Sequence, residues 1–275
     1  MQVAAVQLRS TEDVDSNVAT VRELVLEAAT AGAAFVALPE NALFLRSSRG
    51  ATIPIEPLDG ALVTEMRRLA SEAGVWLLLG SYPEVSPDPS RYYNTSVVID
   101  GTRSAADGLG PVVATYRKLH LFDVDLPSGE SQRESDVIVA GSEVVVADVA
   151  GVPTGLSICY DLRFPRLYQA LVDAGARLLT VPAAFTEYTG KDHWLPLLRA
   201  RAIENQAWVV APNQFGHHGG QRRSYGKTAI IDPWGTPVSV ASDGVGFVTA
   251  RVDLRYQDRV RAAIPCLHHR HPAVD

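Results

Sequence analysis

Three segments of the sequence place a chemically active side chain directly after, or at the end of, an apolar run. Glu40 follows the run in FVALPEN, Lys118 follows the run in VVATYRKLH, and Cys159 ends the run in GLSICYDLRFP. Catalytic residues of α/β proteins commonly lie at strand ends. A thiol, a carboxylate that can take its proton and a fixed cation that stabilises negative charge together make a nucleophilic site. The three residues therefore predict acyl-transfer chemistry, provided that the fold brings them together.

Each of these residues also has a plainer explanation. A free cysteine is usually a small buried hydrophobe, and an isolated Glu or Lys is usually a solvated charge. His120, two positions after Lys118, is an alternative base for Cys159, although a histidine there is more simply a packing or hydrogen-bonding residue. A lysine buried in such a site would keep its proton only if carboxylates lay beside it.

The elements that must position these residues follow an α/β pattern. Short continuous apolar runs alternate with amphipathic stretches, of which residues 16–31 and 61–72 are the clearest. Residues 23–40 are echoed by residues 166–182, each with a helix that ends at an Ala-Gly turn and a strand that ends in Pro. We expect a four-layer α-β-β-α sandwich with an internal pseudo-twofold, the alternative being a coincidental likeness of two ordinary α/β units.

The composition excludes several classes of function. The chain has 275 residues and a net charge of −6, so no basic field would attract nucleic acid or an anionic membrane. The start, MQVAAVQLRS, has no signal-peptide pattern, and no apolar run is long enough to span a bilayer, so a cytoplasmic protein is expected. Without a proline-rich or glycine-serine linker, residues 1–275 are predicted to form a single domain.

Longer motifs around the three residues resemble the nitrilase superfamily of carbon–nitrogen hydrolases. The segments LPEN, YRKLHLFD and ICYDLRFP resemble the contexts of that superfamily's Glu–Lys–Cys triad, and SYGKTAIIDPWG and IPCLHHRHP are most similar to its Nit branch. The resemblance implies the four-layer fold, no cofactor, and a homodimer or larger homo-oligomer with residues 255–275 at the interface. It also implies a second glutamate, which Glu134 matches better than Glu130, a residue of the same polar loop.

The resemblance further implies hydrolysis of a small linear carboxamide, of the deaminated-glutathione type or an ω-amide of a 2-oxo acid, to an acid and ammonia through a cysteine thioester. Glu40 would act as the base, and Lys118 with the backbone N–H of Tyr160 would hold the oxyanion. Donors for an anionic substrate are sought in two loops after strands; the predicted substrate-binding residues are Tyr160, Phe185, Thr189, Lys191, His193 and Arg222, with His217 and Arg223 as further candidates. Asp161 and Arg163 are expected to form an ion pair that fixes the cysteine turn.

Other functions remain open at this point. A nitrilase or an N-carbamoyl amine hydrolase would use the same triad, and a binding protein without turnover could keep the same pocket. The tail clusters Cys266, His268, His269 and His271, but it has no second ligand set at metal spacing, so no metal site is predicted. Serine-hydrolase, phosphate-loop and zincin motifs are absent from the sequence.

Overall fold

The computed structural model describes residues 1–48, 50–125, 131–271 and 273. Its five helices among these residues are α1 (Val14–Thr30), α2 (Ala61–Ala73), α3 (Pro165–Asp173), α4 (Glu187–Asn205) and α5 (Leu254–Ala263). Its strands are β1 (Gln2–Gln7), β2 (Phe35–Ala37), β3 (Trp76–Val85), β4 (Tyr92–Asp100), β5 (Val112–Arg117), β6 (Asp123–Asp125), β7 (Ser131–Arg133), β8 (Val146–Val149), β9 (Val152–Leu156), β10 (Leu178–Thr180), β11 (Trp208–Ala211), β12 (Phe215–Gly219), β13 (Arg222–Tyr225), β14 (Ala229–Ile231), β15 (Pro237–Val240) and β16 (Gly246–Arg251).

Two six-stranded sheets carry the fold. Their strand orders are β16-β1-β2-β3-β4-β5 and β8-β9-β10-β11-β14-β15. In the first sheet β1, β2 and β3 are parallel, with antiparallel β16 on one side and β4 and β5 on the other. The second sheet repeats this arrangement with β9, β10 and β11 parallel between antiparallel β8 and the pair β14 and β15. The repeated strand order confirms the predicted internal pseudo-twofold.

Three apolar cores separate four layers, which confirms the predicted sandwich. Between the sheets, side chains such as Phe35 and Val98 of the first sheet join Leu178 and Val210 of the second in one buried cluster. A second cluster joins α1 and α2 to the outer face of the first sheet, and a third joins α3 and α4 to the outer face of the second. Because both faces of the central strands are covered, these strands are continuous apolar runs in the sequence.

The helix ends follow local sequence signals. The Asp13 side chain caps α1 by accepting a hydrogen bond from the Ser16 N–H, and Gly74 ends α2 in the left-handed conformation with φ 63°. Pro165 occupies the first turn of α3, directly after the cysteine motif. Within the described part of the chain, no helix is long and apolar enough to cross a membrane.

Candidate active site

Glu40 lies three residues after the end of β2, with its side chain between the two sheets. Its Oε1 accepts hydrogen bonds from Asn94 Nδ2 at 2.9 Å and Lys118 Nζ at 3.1 Å, and its Oε2 accepts one from the backbone N–H of Ala184 at 2.9 Å. Burial alone would raise the pKa of the Glu40 carboxyl. The Lys118 charge and hydrogen bonds from the Cys159 thiol, Lys118 and Ala184 outweigh burial and keep the pKa below its ordinary value. Glu40 is therefore a carboxylate at neutral pH.

Lys118 follows β5 and is fully buried. Its Nζ donates to Glu40 Oε1 and, at 2.9 and 2.8 Å, to both carboxylate oxygens of Glu134. Burial would lower the pKa of the Lys118 amine, but the charges of Glu134 and Glu40 raise it well above its ordinary value. The structure thus supports the expectation that two carboxylates keep this lysine charged.

Glu134 begins a short 3₁₀ turn, Glu134–Asp136, directly after β7. Besides binding Lys118, its Oε2 accepts a hydrogen bond from the backbone N–H of Phe122 at 2.8 Å. These contacts place Glu134 beside Lys118, as the sequence predicts. Glu130, the alternative that we considered, lies outside the described residues.

Two glycines allow the backbone to approach closely where Glu40 and Lys118 are held. A Cβ on Gly80 of β3 would lie 2.1 Å from the backbone oxygen of Leu38, and one on Gly141 would lie 2.2 Å from that of Arg117. Such distances are far inside van der Waals contact. Any larger residue at either position would displace the segment that carries a catalytic candidate.

Cys159 begins a 3₁₀ turn, Cys159–Arg163, and has the left-handed φ of 48°. Its backbone N–H donates to Pro182 O at 2.9 Å. A non-glycine residue in this conformation is strained by roughly 1–3 kcal/mol, and such strain is concentrated at functional sites. Burial and the neighbouring Glu40 charge raise the pKa of the Cys159 thiol well above its ordinary value, against the opposing effect of Lys118. The resting site therefore holds a protonated thiol that donates to the Glu40 carboxylate.

Asp161 holds the cysteine turn, but not through Arg163. Its Oδ2 accepts from the backbone N–H of Ile158 at 2.8 Å and the Tyr116 hydroxyl at 2.7 Å, and its Oδ1 accepts from the backbone N–H of His120 at 3.0 Å and lies 2.7 Å from His120 Nδ1. The expected Asp161–Arg163 ion pair is therefore wrong. Within the 3₁₀ turn the two side chains point apart, Asp161 into the core.

His120 is not placed to act as the base for Cys159. Its ring contacts Asp161 through Nδ1 and stacks on Phe164 with centroids 3.6 Å apart, while the Cys159 thiol bonds to Glu40. The packing explanation for this histidine is the one that the structure supports.

A pocket that is open to solvent lies above these side chains. Besides Glu40, Lys118, Glu134 and Cys159, its lining includes four of the predicted substrate-binding residues, Tyr160, Phe185, Thr189 and Arg222. Phe122 and Tyr160 form an edge-to-face pair at 4.9 Å. The lining combines apolar walls with a few polar groups, as ligand sites do. We call this space the catalytic pocket.

Two predicted binding residues, Lys191 and His193, are not brought to the catalytic pocket. Both are exposed, Lys191 over the ring of Tyr188 and His193 3.3 Å from Arg163. The segment that we expected to be a loop forms the first turns of α4, whose 3.6-residue period turns Thr189 inward and Lys191 outward.

The second expected loop is the β12–β13 hairpin. Arg223 lines the catalytic pocket but forms an exposed ion pair with Glu187 at 2.6 Å. His217 is exposed and bonds to Gly220 O, whereas His218 is buried between Ser10 O and the Ser224 hydroxyl.

The C-terminal histidines and cysteine do not gather into a site. Among the described residues, no group of three His, Cys, Asp or Glu side chains has an arrangement that could hold a metal ion. Cys266 and Cys159 are both free thiols.

Three site features were missed from the sequence. Asn94 and the Ala184 N–H bind Glu40, and Arg163 lines the catalytic pocket with its guanidinium 5.1 Å from the Phe185 ring centroid. Asn94 stands in YYNTSVVID, where an amide in a strand otherwise rich in β-formers could have signalled a buried partner. Arg163 makes no ion pair with any described acid, and its side chain lines the pocket.

This chain is similar in sequence and fold to known proteins along almost the whole of its own length. The family model described as carbon-nitrogen hydrolase matches residues 2–262. The chain is 44% identical over 276 residues to a deaminated glutathione amidase of Bos taurus, covering 98% of this chain and 82% of that protein. Among solved structures, the C. elegans NitFhit protein superposes with a TM-score of 0.89 and 36% identity, over 100% of this chain and 66% of that one. Nit3 of Saccharomyces cerevisiae, a member of branch 10 of the nitrilase superfamily, superposes with a TM-score of 0.84 and 27% identity, over 96% and 94% of the two chains.

Proposed function

The chain belongs to the carbon–nitrogen hydrolase family, and from this premise we propose that it hydrolyses a linear amide of the deaminated-glutathione type, with Glu40, Lys118, Glu134 and Cys159 as its catalytic residues. One observation carries the proposal. A protonated thiol, a carboxylate that accepts its hydrogen bond and a buried ammonium contact one another at the base of a pocket. This combination provides a nucleophile, a base and an electrostatic stabiliser for acyl transfer.

The first half-reaction breaks the amide. Glu40 takes the thiol proton as the sulfur of Cys159 bonds to the amide carbon, and the carbonyl electron pair moves to oxygen. Lys118 and the backbone N–H of Tyr160, in the first turn of the 3₁₀ segment, stabilise this oxyanion. Glu40 then gives the proton to nitrogen, the carbon–nitrogen bond breaks, and the amine leaves a thioester behind.

The second half-reaction restores the enzyme. Glu40 takes a proton from water, the water oxygen bonds to the thioester carbon, and the carbon–sulfur bond breaks as sulfur regains the proton. Glu134 keeps Lys118 in place through two hydrogen bonds. The sum is amide plus water giving acid plus amine, and none of these steps requires a group from outside the chain.

The identity of the leaving amine follows from the substrate. Ammonia leaves only from a primary amide, as in an ω-amide of a 2-oxo acid. Glutathione has no primary amide, so a deaminated form cut at its γ-amide would release cysteinylglycine. Our expectation of ammonia therefore applies to primary amides alone.

Arg163 replaces Lys191 and His193 as the proposed partner of an acidic acyl group. Its guanidinium lies in the catalytic pocket over Phe185, whereas the other two side chains lie outside it. A guanidinium without an acidic partner is well suited to bind a carboxylate.

The test compares Cys159→Ala with Cys266→Ala, a matched control at the other free cysteine. Mass spectrometry would follow the acid and amine formed from deaminated glutathione, α-ketoglutaramate and an aliphatic nitrile. We expect kcat/KM to decrease in that order for the wild type and the control, and turnover to vanish in Cys159→Ala. Undiminished turnover in Cys159→Ala would disprove the nucleophile, and a preference for the nitrile would disprove the substrate class. Binding without turnover in the wild type would favour a non-catalytic protein.

We also propose that the protein forms homodimers. Its cytoplasmic location stays a prediction. Exposed apolar side chains cluster near the end of α4, where Ile203 adjoins the Trp234–Gly235 turn and Gln206 binds Ile264 O at 2.6 Å. Such a patch, with residues 255–275 beside it, is suited to burial against a second copy. Light scattering would show a monomer for Trp234→Asp and a dimer for the wild type; a monomeric wild type would contradict this proposal.

A further inference from the structure

A second chamber adjoins the catalytic pocket. It has a volume of about 470 Å³ and opens to solvent. The lining residues used in the argument below are Arg46, Tyr92, Asn94, Gln132, Glu134 and Arg222. Gln132, Glu134 and Arg222 line both spaces. The second chamber is thus continuous with the site of the reaction and has room for a group larger than ammonia.

The boundary between the two spaces lies beside the reacting groups, and Cys159, which becomes bonded to the acyl carbon, lines only the catalytic pocket. Glu134 lies on this boundary, and Asn94, whose amide binds the proton-carrying Glu40, lines the second chamber. The catalytic pocket, but not the second chamber, is lined by Tyr160, Arg163 and Phe185. The acyl group is therefore assigned to the catalytic pocket, and the second chamber is the adjoining space that can take the amine.

The second chamber carries positive charge that is not neutralised by described residues. Arg46 and Arg222 form no ion pair with any described acid, and Arg222 only donates a hydrogen bond to Arg46 O at 2.8 Å. Arg133, a third arginine of the lining, is paired with Asp125 at 2.6 Å. Of the two acids there, Glu134 is bound by Lys118 and Asp136 is exposed.

Both arginines lie near the same phenol. Burial raises the pKa of the Tyr92 hydroxyl, and the charges of Arg46 and Arg222 oppose part of this rise. Because Arg222 is tied to the backbone of Arg46 and both line the second chamber, their two half-buried guanidiniums form a donor set suited to a carboxylate.

On the premise of the amidase function proposed above, we propose that the second chamber is a leaving-group subsite, in which Arg46 and Arg222 bind the carboxylate of a peptide-like amine. The preferred substrate is then a secondary amide whose leaving amine ends in a carboxylate. Primary amides, which release only ammonia, leave this subsite empty.

The test uses three substrates that share one acyl group: a primary amide, an amide of a dipeptide with a free C-terminal carboxylate, and the same dipeptide amide with its C-terminus amidated. The variants are Arg46→Gln, Arg46→Lys and the control Arg251→Gln, which removes one exposed charge outside both chambers. Arg46 is chosen because its side chain makes no hydrogen bond within the described residues, so its loss should not disturb the fold.

We expect Arg46→Gln to lower kcat/KM for the free-carboxylate substrate by about ten- to a hundredfold, the usual effect of losing a hydrogen bond to a charged group. The losses with the amidated and the primary substrates should be at least fivefold smaller, so that the preference for the carboxylate disappears. Arg46→Lys should restore part of that preference, and Arg251→Gln should keep it in full.

Equal losses on all three substrates, or no preference for the carboxylate in the wild type, would overturn the subsite while leaving the amidase function intact. A wild type that cleaves none of the three would instead overturn the proposed function, and the subsite with it. Binding of the free dipeptide, measured by calorimetry with and without Arg46→Gln, gives a readout that does not depend on turnover, and equal affinities would also refute the subsite.

Discussion

Replacing Glu134 with glutamine tests the electrostatics of the site most directly. The substitution keeps the shape of the side chain and one acceptor oxygen for Lys118, but it removes one of the two negative charges beside the buried ammonium. At 2.8 Å and an effective dielectric constant of 20, the lost attraction is about 6 kcal/mol before desolvation is subtracted. Desolvation returns much of this, since a neutral amide is less costly to bury than a carboxylate.

The consequence for catalysis comes through Glu40. With Glu134 neutral, Lys118 interacts with Glu40 as its single charged partner, so Glu40 holds a proton less strongly and is a weaker base. We expect kcat to fall by about 10²- to 10³-fold, similar to the loss of an oxyanion donor. The free energy of unfolding should fall by about 1–3 kcal/mol, because the new NH₂ group faces the Lys118 ammonium or the Phe122 N–H, while Lys118 keeps Glu40 as a charged partner.

The assay is steady-state hydrolysis of an amide substrate beside thermal unfolding of the same preparations. Glu143→Gln, at an exposed glutamate outside the pocket, is the matched control and should behave as the wild type does. A Glu134→Gln enzyme within twofold of the wild-type kcat would refute the reasoning. A fall in activity that merely followed a loss of stability would refute it too.

Three further predictions concern Lys118, Asp161 and His218. Lys118→Met should lower kcat at least a hundredfold. Without the cation, burial raises the pKa of the Glu40 carboxyl, so stability is lost as pH increases above its unfolded value, which unfolding at pH 5 and pH 8 would detect. Asp161→Asn sets an NH₂ group against N–H and O–H donors and should cost about 3 kcal/mol in denaturant unfolding, and an unchanged midpoint would contradict this. Burial lowers the pKa of His218 to about 4 from 6.5, so at intermediate pH the unfolded state binds a proton that the folded state does not bind. The free energy of unfolding should therefore fall by up to about 3 kcal/mol as pH drops from 6.5 to 4, and the decline should be shallower in His218→Gln.

The parts of this structure that the sequence predicts are those encoded locally. Apolar runs that end in Glu40, Lys118 and Cys159 place three side chains at strand ends, and the repeated helix–turn–strand pattern predicts the two similar sheets. Both signals depend on residues a few positions apart. The structure agrees with both signals because the central strands are buried on both faces and therefore need continuous apolar runs.

The parts that the sequence does not predict depend on backbone geometry and long-range contact. The Ala184 N–H binds a carboxylate 144 positions away, and nothing near either residue indicates it. The sequence also does not predict that α4 begins at Glu187, because Thr, Gly and Asp in this segment are weak helix formers. This start of the helix decides which of Thr189, Lys191 and His193 lie on the same face. The direction of Asp161 depends on a 3₁₀ turn whose φ at Cys159 is atypical for a cysteine.

The candidate catalytic residues are divided between the two sheets, and this division makes turnover sensitive to structural damage. Glu40 and Lys118 follow strands of the first sheet, whereas Cys159 follows β9 of the second. A chain with only one half folded holds either a base without a nucleophile or a nucleophile without a base. Because the two sheets meet in one apolar core, a shift of one sheet against the other separates the thiol from its base, so turnover is lost while the secondary structure persists. Enzyme activity is thus an early indicator of damage to this fold.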